Sequence, residues 1–352
     1  MSAERSEPTQ EFRDIRCSHS ESLPAILSQL RISVLISTYQ TGHLVALAAR
    51  DGRLMLTFHQ FERAMGIAVK RGTIAVCTRR QVWFLRDAPD IAAKLQPSGV
   101  HDACFLARTS HFTDDIEAHE AAWIGNEFWI VNTLFSCLSA LHPHYSFAPR
   151  WRPPFVSALR AEDRCHLNGM AVVNGQVRYV TALSETDTPG GWRAVKENGG
   201  CLIEVPSGRV ISHGLSLPHS PRVSGDRIFF LNTGVGELSF TDRAGGPITA
   251  VASVPGIARG LAIHGRFAFV GLSKARPTLD GVPIAERRDE LRCGLWIIEM
   301  QTGKVAAHLE FTAGVEEVFD VQVLPGIQFP YLSGPAAVSD IGQPLWTVPP
   351  AK

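Results

Sequence analysis

The sequence predicts an all-β chain folded as a six-bladed β-propeller, on three observations. A hairpin pattern recurs six times, its copies start about 40 to 60 residues apart, and helical periodicity is nearly absent. Two hairpins per repeat make a four-stranded sheet, and six such sheets arranged radially leave only short, protected edges. A β-sandwich accounts for the strands but not for the repeat.

Each copy has a polar or glycine entry, a short apolar run, a tight turn and a second apolar run. The copies are AMGIAVKRGTIAVCT (64–78), AHEAAWIGNEFWIVNT (118–133), HLNGMAVVNGQVRYVTA (166–182), PHSPRVSGDRIFFLNTG (218–234), ARGLAIHGRFAFVGLS (258–273) and VFDVQVLPGIQFPYLSG (318–334). Their turns carry residues tolerant of positive φ, as two-residue hairpin loops require. Second, outer hairpins turn at Asp51-Gly52, Ser207-Gly208 and Thr302-Gly303. The first outer hairpin (42–58) precedes the first inner one, and the last inner hairpin lies near the C-terminus. One blade is therefore expected to take strands from both ends and close the ring. Residues 1–30 read as an N-terminal extension with a short helix over 21–30, Pro24 in its first turn. The propeller takes 31–335, and 336–352 is a tail. A second helical stretch is expected within 283–294. Two long connections, 184–200 and 274–293, carry Trp192, Arg193, Lys196, Arg287 and Arg288. They suit a substrate rim or, equally, a solvated insertion.

Lys+Arg and Asp+Glu both number 34, so no field of one sign recruits nucleic acid or an anionic membrane. The opening residues, MSAERSEPTQEFRD, lack the apolar core of a secretory leader. No apolar run approaches the roughly 18 residues of a membrane span. Seven cysteines, at 17, 77, 104, 137, 165, 201 and 293, form no CxxC pair and are odd in number. Reduced thiols in a cytoplasm are the expectation. Nucleophile-elbow, Walker A and dinucleotide-binding motifs are missing, so the chemistry they signal has no support.

In a propeller the innermost strands line a central channel, and their first residues meet at one mouth although some 50 positions apart. Those entries carry Gly66, then Glu117 and His119, His166 and Asn168, His219, Arg259 and Asp320. Imidazoles converging from three strands suit a transition metal, so His119, His166 and His219 are the expected ligands. Iron, copper, zinc and manganese fit that set; calcium fits less well, because it wants mostly oxygen. Asp320 or Glu117 is the candidate base or ligand-orienting carboxylate, alongside His166. Arg222 and Arg259 interrupt apolar runs and are candidate clamps for a substrate carboxylate or phosphate, with Asn168, Trp192 and Arg193. The ordinary role of any one such histidine is a backbone hydrogen bond, and of either arginine a salt bridge between blades. Cys165 and His166 are neighbours on a strand, point to opposite faces and do not form a nucleophile–base pair.

The runs RWRPPFVSALRAEDRCHLNGMA, TALSETDTPGGWR, LPHSPR, GVPIAERRDELRCG and GVEEVFDVQVLPGI resemble an uncharacterised family of bacterial proteins, a domain of unknown function. The resemblance covers about residues 25 to 335 and implies a propeller-like fold without an activity. More distantly, the repeat is similar to six-bladed propellers of the gluconolactonase, paraoxonase and strictosidine-synthase type. That likeness implies a divalent metal, often calcium, at the channel mouth on Glu, Asn and Asp ligands, which Asn168 and Asp320 match. His119, His166 and His219 depart from it. The carotenoid-cleavage oxygenases offer an analogous axial four-histidine iron, but on seven blades and with other motifs.

These residues point first to a metal-dependent enzyme, oxygenase or lactonase/esterase-like hydrolase, acting on a small molecule or peptide. Two other readings stand beside it. One is a non-catalytic scaffold that binds a protein or peptide on its top face. The other is a metal-free enzyme with His166 as general base.

Overall fold

The computed structural model describes residues 14–274, 279–335 and 345–348. Its strands form six sheets, the blades of a β-propeller. From the axis outward, blade I joins Asp320–Pro325, Ile32–Thr38, His43–Arg50 and Arg53–Gln60. Blade II runs Ile67–Lys70, Thr73–Cys77, Gln81–Asp87 and Ala103–Phe112. Blade III has Ala118–Ile124 innermost, blade IV Leu167–Val173, blade V Pro218–Ser224 and blade VI Ile257–His264. Neighbouring inner strands touch all the way round, from blade I through blade VI and back.

Hairpin chemistry explains the meander within each blade. At Asp51-Gly52 and Asn174-Gly175 both turn residues have positive φ (51° and 74° in each pair). That handedness matches the twist of the flanking strands. Apolar side chains on the two faces of each sheet pack against the next blade, so the core is divided into wedges between blades. In the wedge between blades I and VI, Ile36 and Leu47 meet Phe269 and Ile297. The Ser22–Leu30 helix adds Leu23 and Leu27, both fully buried. Each such leucine contributes about 1.5–3 kcal/mol relative to exposure. Arg31, left-handed at φ 53°, ends this helix by donating its N–H to Leu27 and Ser28 carbonyls.

The ring closes in one blade with strands from both ends, as expected, but the partners differ from those predicted. Asp320–Pro325 pairs with Ile32–Thr38, from Ser37↔Asp320 to Ile32↔Pro325. The expected hairpin over 318–334 does not form. Pro330–Ser333 instead lies parallel to Ala103–Phe112 at the edge of blade II. The reason is competition: ISVLIST, every residue of which is buried, occupies the edge that the returning chain would have taken. Arg16–His19 makes a further tie, pairing with Val305–Ala313 on blade VI. The second helical stretch is a 3-10 segment, Pro283–Glu290. No helix among the described residues is long and apolar enough to cross a membrane. The tail expected at 336–352 lies outside the described residues except for 345–348.

Candidate functional site

All six inner strands start at the same end of the channel, here called the upper mouth. Several non-glycine residues adopt left-handed backbone beside those starts, among them Glu117 (φ 51°), Asp163 (45°), His166 (50°) and Leu217 (48°). This conformation is uncommon and costly for non-glycine residues, and such outliers cluster at working sites.

His119 and His219 are held alike, 100 positions apart. The Nδ1 of each faces the carbonyl two residues back, Glu117 O at 3.2 Å and Leu217 O at 2.9 Å. Each Nδ1 also faces a threonine hydroxyl, Thr133 at 2.8 Å and Thr233 at 3.3 Å. Those hydroxyls donate onward to the next blade, to Leu167 O and Ala258 O. A hydroxyl that has given its proton away accepts from Nδ1–H, which leaves Nε2 as the lone-pair nitrogen. On His119 that lone pair is met by Arg259, whose Nη2 donates at 3.1 Å. Burial, then the charge of Arg259, holds the His119 pKa well below the usual histidine range.

His166 is held differently. Its Nδ1 lies 2.9 Å from Asp163 Oδ2 and 3.0 Å from Oδ1. The same Oδ2 accepts the Trp192 indole N–H at 2.7 Å. Trp192 and His166 rings are 4.5 Å apart, and Arg193 lies over the indole at 4.5 Å. His119 meets His166 edge to face at 4.9 Å. The turn that presents Asp163 is pinned by Arg164, which donates to Glu162, Ser157 and Asp187. Glu117 completes the group. Candidate ligand atoms of Glu117, Asp163 and His166 lie within 4.8 Å of one another. Burial, then the Asp163 charge, raises the Glu117 pKa.

Two cavities open here, and His166 and Arg259 line both. The larger, about 430 Å³, also takes in Trp192, Arg193, Lys196 and His219. The smaller, about 170 Å³, takes in Glu117, His119 and Asp115. Of the residues predicted for the site, the structure thus brings Glu117, His119, His166, His219, Arg259, Trp192 and Arg193 together. The three histidines do not share a common point, because Arg259 occupies the lone pair of His119.

Asn168, Asp320 and Arg222 sit elsewhere. Asn168 donates to Pro218 O and accepts from Thr181, tying blade IV to blade V. Asp320 spends both carboxylate oxygens on backbone amides, those of Ile67 and Val321, each at 2.8 Å. It therefore faces the strand entries rather than substrate. Arg222 lies four residues into its strand and lines a cavity at the lower mouth, paired with Glu120 (Nη1–Oε2 3.1 Å). A bulge makes those four residues span three on the partner strand, and at about 3.3 Å of rise per residue that carries Arg222 roughly 10 Å down the channel. Sequence reasoning missed Asp163 and Glu120. The D-x-x-H spacing of Asp163 and His166 was the available signal for the first.

Residues 21–332 match the family model described as Domain of unknown function (DUF4915). The chain belongs to that family. The DUF4915 match spans all six inner strands, so every residue of the upper mouth lies inside it. No curated protein matches the chain. Among solved structures, a chain from the crystal structure of a nidogen/laminin complex is similar over 84% of this chain and 99% of that one. Its TM-score is 0.48, at 8% identity.

Proposed function

We propose that this protein is an enzyme that holds a divalent metal ion at the upper mouth and acts there on a small molecule. The observation that carries the reading is the convergence of Glu117, Asp163 and His166 within 4.8 Å. A mixed oxygen and nitrogen set suits manganese, iron or zinc; calcium would want more oxygens. Burial, then repulsion from Asp163, raises the Glu117 pKa, and a cation there would offset both. Such an ion polarises a substrate oxygen or acidifies a bound water.

The chain's own residues do the rest. Asp163 accepts the Nδ1–H of His166, and Trp192 fixes Asp163 in turn. That chain of contacts orients the imidazole, which lines both cavities. Arg259 and Arg193 hold substrate in the larger cavity. Hydrolytic and oxidative chemistry both remain compatible with this arrangement.

The test is elemental analysis of untagged protein purified without chelators and then reloaded with Mn²⁺, Fe²⁺ or Zn²⁺. Near-stoichiometric metal is expected, with loss in both Glu117→Gln and His166→Ala. A wild type that retains no metal after reloading overturns the reading. A second reading rests on the 2.9 Å contact between Asp163 and His166, which also describes a metal-free base oriented by a carboxylate. It requires turnover that survives exhaustive chelation.

A further inference from the structure

We infer that the larger upper cavity, about 430 Å³, is an oxyanion pocket for a small molecule bearing a carboxylate or phosphate on an apolar body. The acid group docks on Arg259. This rests on the reading of the upper mouth as the working site, and it names the substrate class.

The first argument is the segregation of charge. Arg193, Lys196 and Arg259 line this cavity with His166 and His219, and no carboxylate lines it among the described residues. The smaller cavity, which His166 and Arg259 also line, carries Asp115 and Glu117 together with Arg63 and Arg79. Among the described residues carboxylates are thus confined to the smaller of the two cavities, and the larger presents only cationic and uncharged groups.

The second argument is the fixed placement of Arg259. A bulge falls between Ala258 and Leu261 in its strand. Gly260 there has φ +77°, and a Cβ on it would come within 2.7 Å of the Asp320 Cα. A bulge re-aims the side chain beside it, and here the chain cannot slide away because blade I abuts it. The guanidinium lies 4.2 Å over the Phe319 ring and donates to His119 Nε2. Among the described residues its ion-pair partner is the buried Glu317, at 3.8 Å. Guanidinium carries five N–H donors in a fork that matches a carboxylate or phosphate face. Leu183, Leu217, Ile257 and Leu279 supply the apolar wall. The volume falls within the range of small-molecule sites, roughly 300–1,000 Å³.

The test is calorimetric titration of the full chain in EDTA with three probes of one shape: phenylacetate, phenyl phosphate and the neutral phenylacetamide. Both anions, or one of them, should bind at least about tenfold tighter than the amide. Which anion binds tighter sorts carboxylate from phosphate. Arg259→Gln should abolish the preference. Arg259→Lys should restore part of it, since an ammonium offers charge without the fork. If Arg259→Gln fails to fold, the wild-type ratio still decides, and Arg193→Gln at the exposed rim should weaken anion binding about two- to threefold. Equal binding of amide and anions, or no saturable binding of either anion, overturns the proposal. Because the titration is done without metal, an anion preference survives a failed metal analysis. Conversely, stoichiometric metal with no anion preference leaves the metal reading intact and removes only this pocket.

Discussion

The two mouths of the channel both carry buried charge, and they use it in opposite ways. At the lower mouth, Arg222 donates to both oxygens of Glu120, to Met170 O and to Pro221 O. Glu120 also accepts the Met170 N–H. The pair consumes itself, and its partners are the inner strands of blades III, IV and V. At the upper mouth, Asp163 spends its oxygens on His166 and Trp192, while His166 and Arg259 still line cavities. Both ends open on cavities, but charge whose donors and acceptors are spent on neighbouring strands stabilises, and charge that keeps donors for a cavity binds. The difference is one of hydrogen-bond accounting, since residue types and burial are similar at the two ends.

Breaking the lower pair should give the largest effect on stability. Arg222→Met leaves Glu120, whose side chain is 8% exposed, as an uncompensated buried anion. We expect a loss of about 3–5 kcal/mol in urea unfolding. Metal content and anion affinity at the upper mouth should be unchanged. The double variant Glu120→Gln/Arg222→Met should recover much of the loss, because no charge is left unpaired. If the single and double variants are equally unstable, the strand ties matter more than the ion pair, and the comparison weakens.

Asp163→Asn should reverse that profile. The carboxamide cannot accept from both His166 Nδ1 and Trp192 Nε1 with charge, so the imidazole loses its orientation. Metal affinity should fall about 10- to 100-fold. The cost in stability should stay near 1 kcal/mol, the worth of a part-buried hydrogen bond. Metal titration and urea unfolding on the same preparation separate the two. A variant that loses several kcal/mol and keeps its metal would make Asp163 a structural tie of the Glu120 kind.

Much of the ring was legible because turns and apolar runs are local. Asp51-Gly52 and Asn174-Gly175 announce their hairpins, and the entries Glu117, His119, His166, His219 and Arg259 follow from counting strands. Ile32–Thr38 was not legible: it follows a helix without a turn signal, and its partner is nearly 300 residues away. Arg222 and Arg259 look alike in sequence, each just past a strand entry. Their separation to opposite ends depends on bulges at His219/Arg222 and Ala258/Leu261, which no hydrophobic period encodes. Asp163 precedes its strand, and its role comes from left-handed backbone at both 163 and 166.

Asp320 lies between the two regimes and gives the most discriminating effect. Burial, then repulsion from Glu120, raises its pKa from 3.8 to about 7, against the pull of Arg222. An acid whose folded pKa exceeds its unfolded one holds a proton that the unfolded chain has lost. Its contribution to stability is full below about pH 4 and is lost as pH rises through about 7. Wild type measured against Asp320→Asn should therefore lose relative stability across that window and level off above it, because asparagine does not titrate. The offset at the plateau reports the amide contacts to Ile67 and Val321; the slope reports the charge. A gap that instead widened with pH would mean that Arg222 and the two backbone N–H groups outweigh burial. Asp320 would then be an anion at neutral pH, a third member of the lower ion network, and the boundary between tying charge and binding charge would move up the channel to the floor beneath His119.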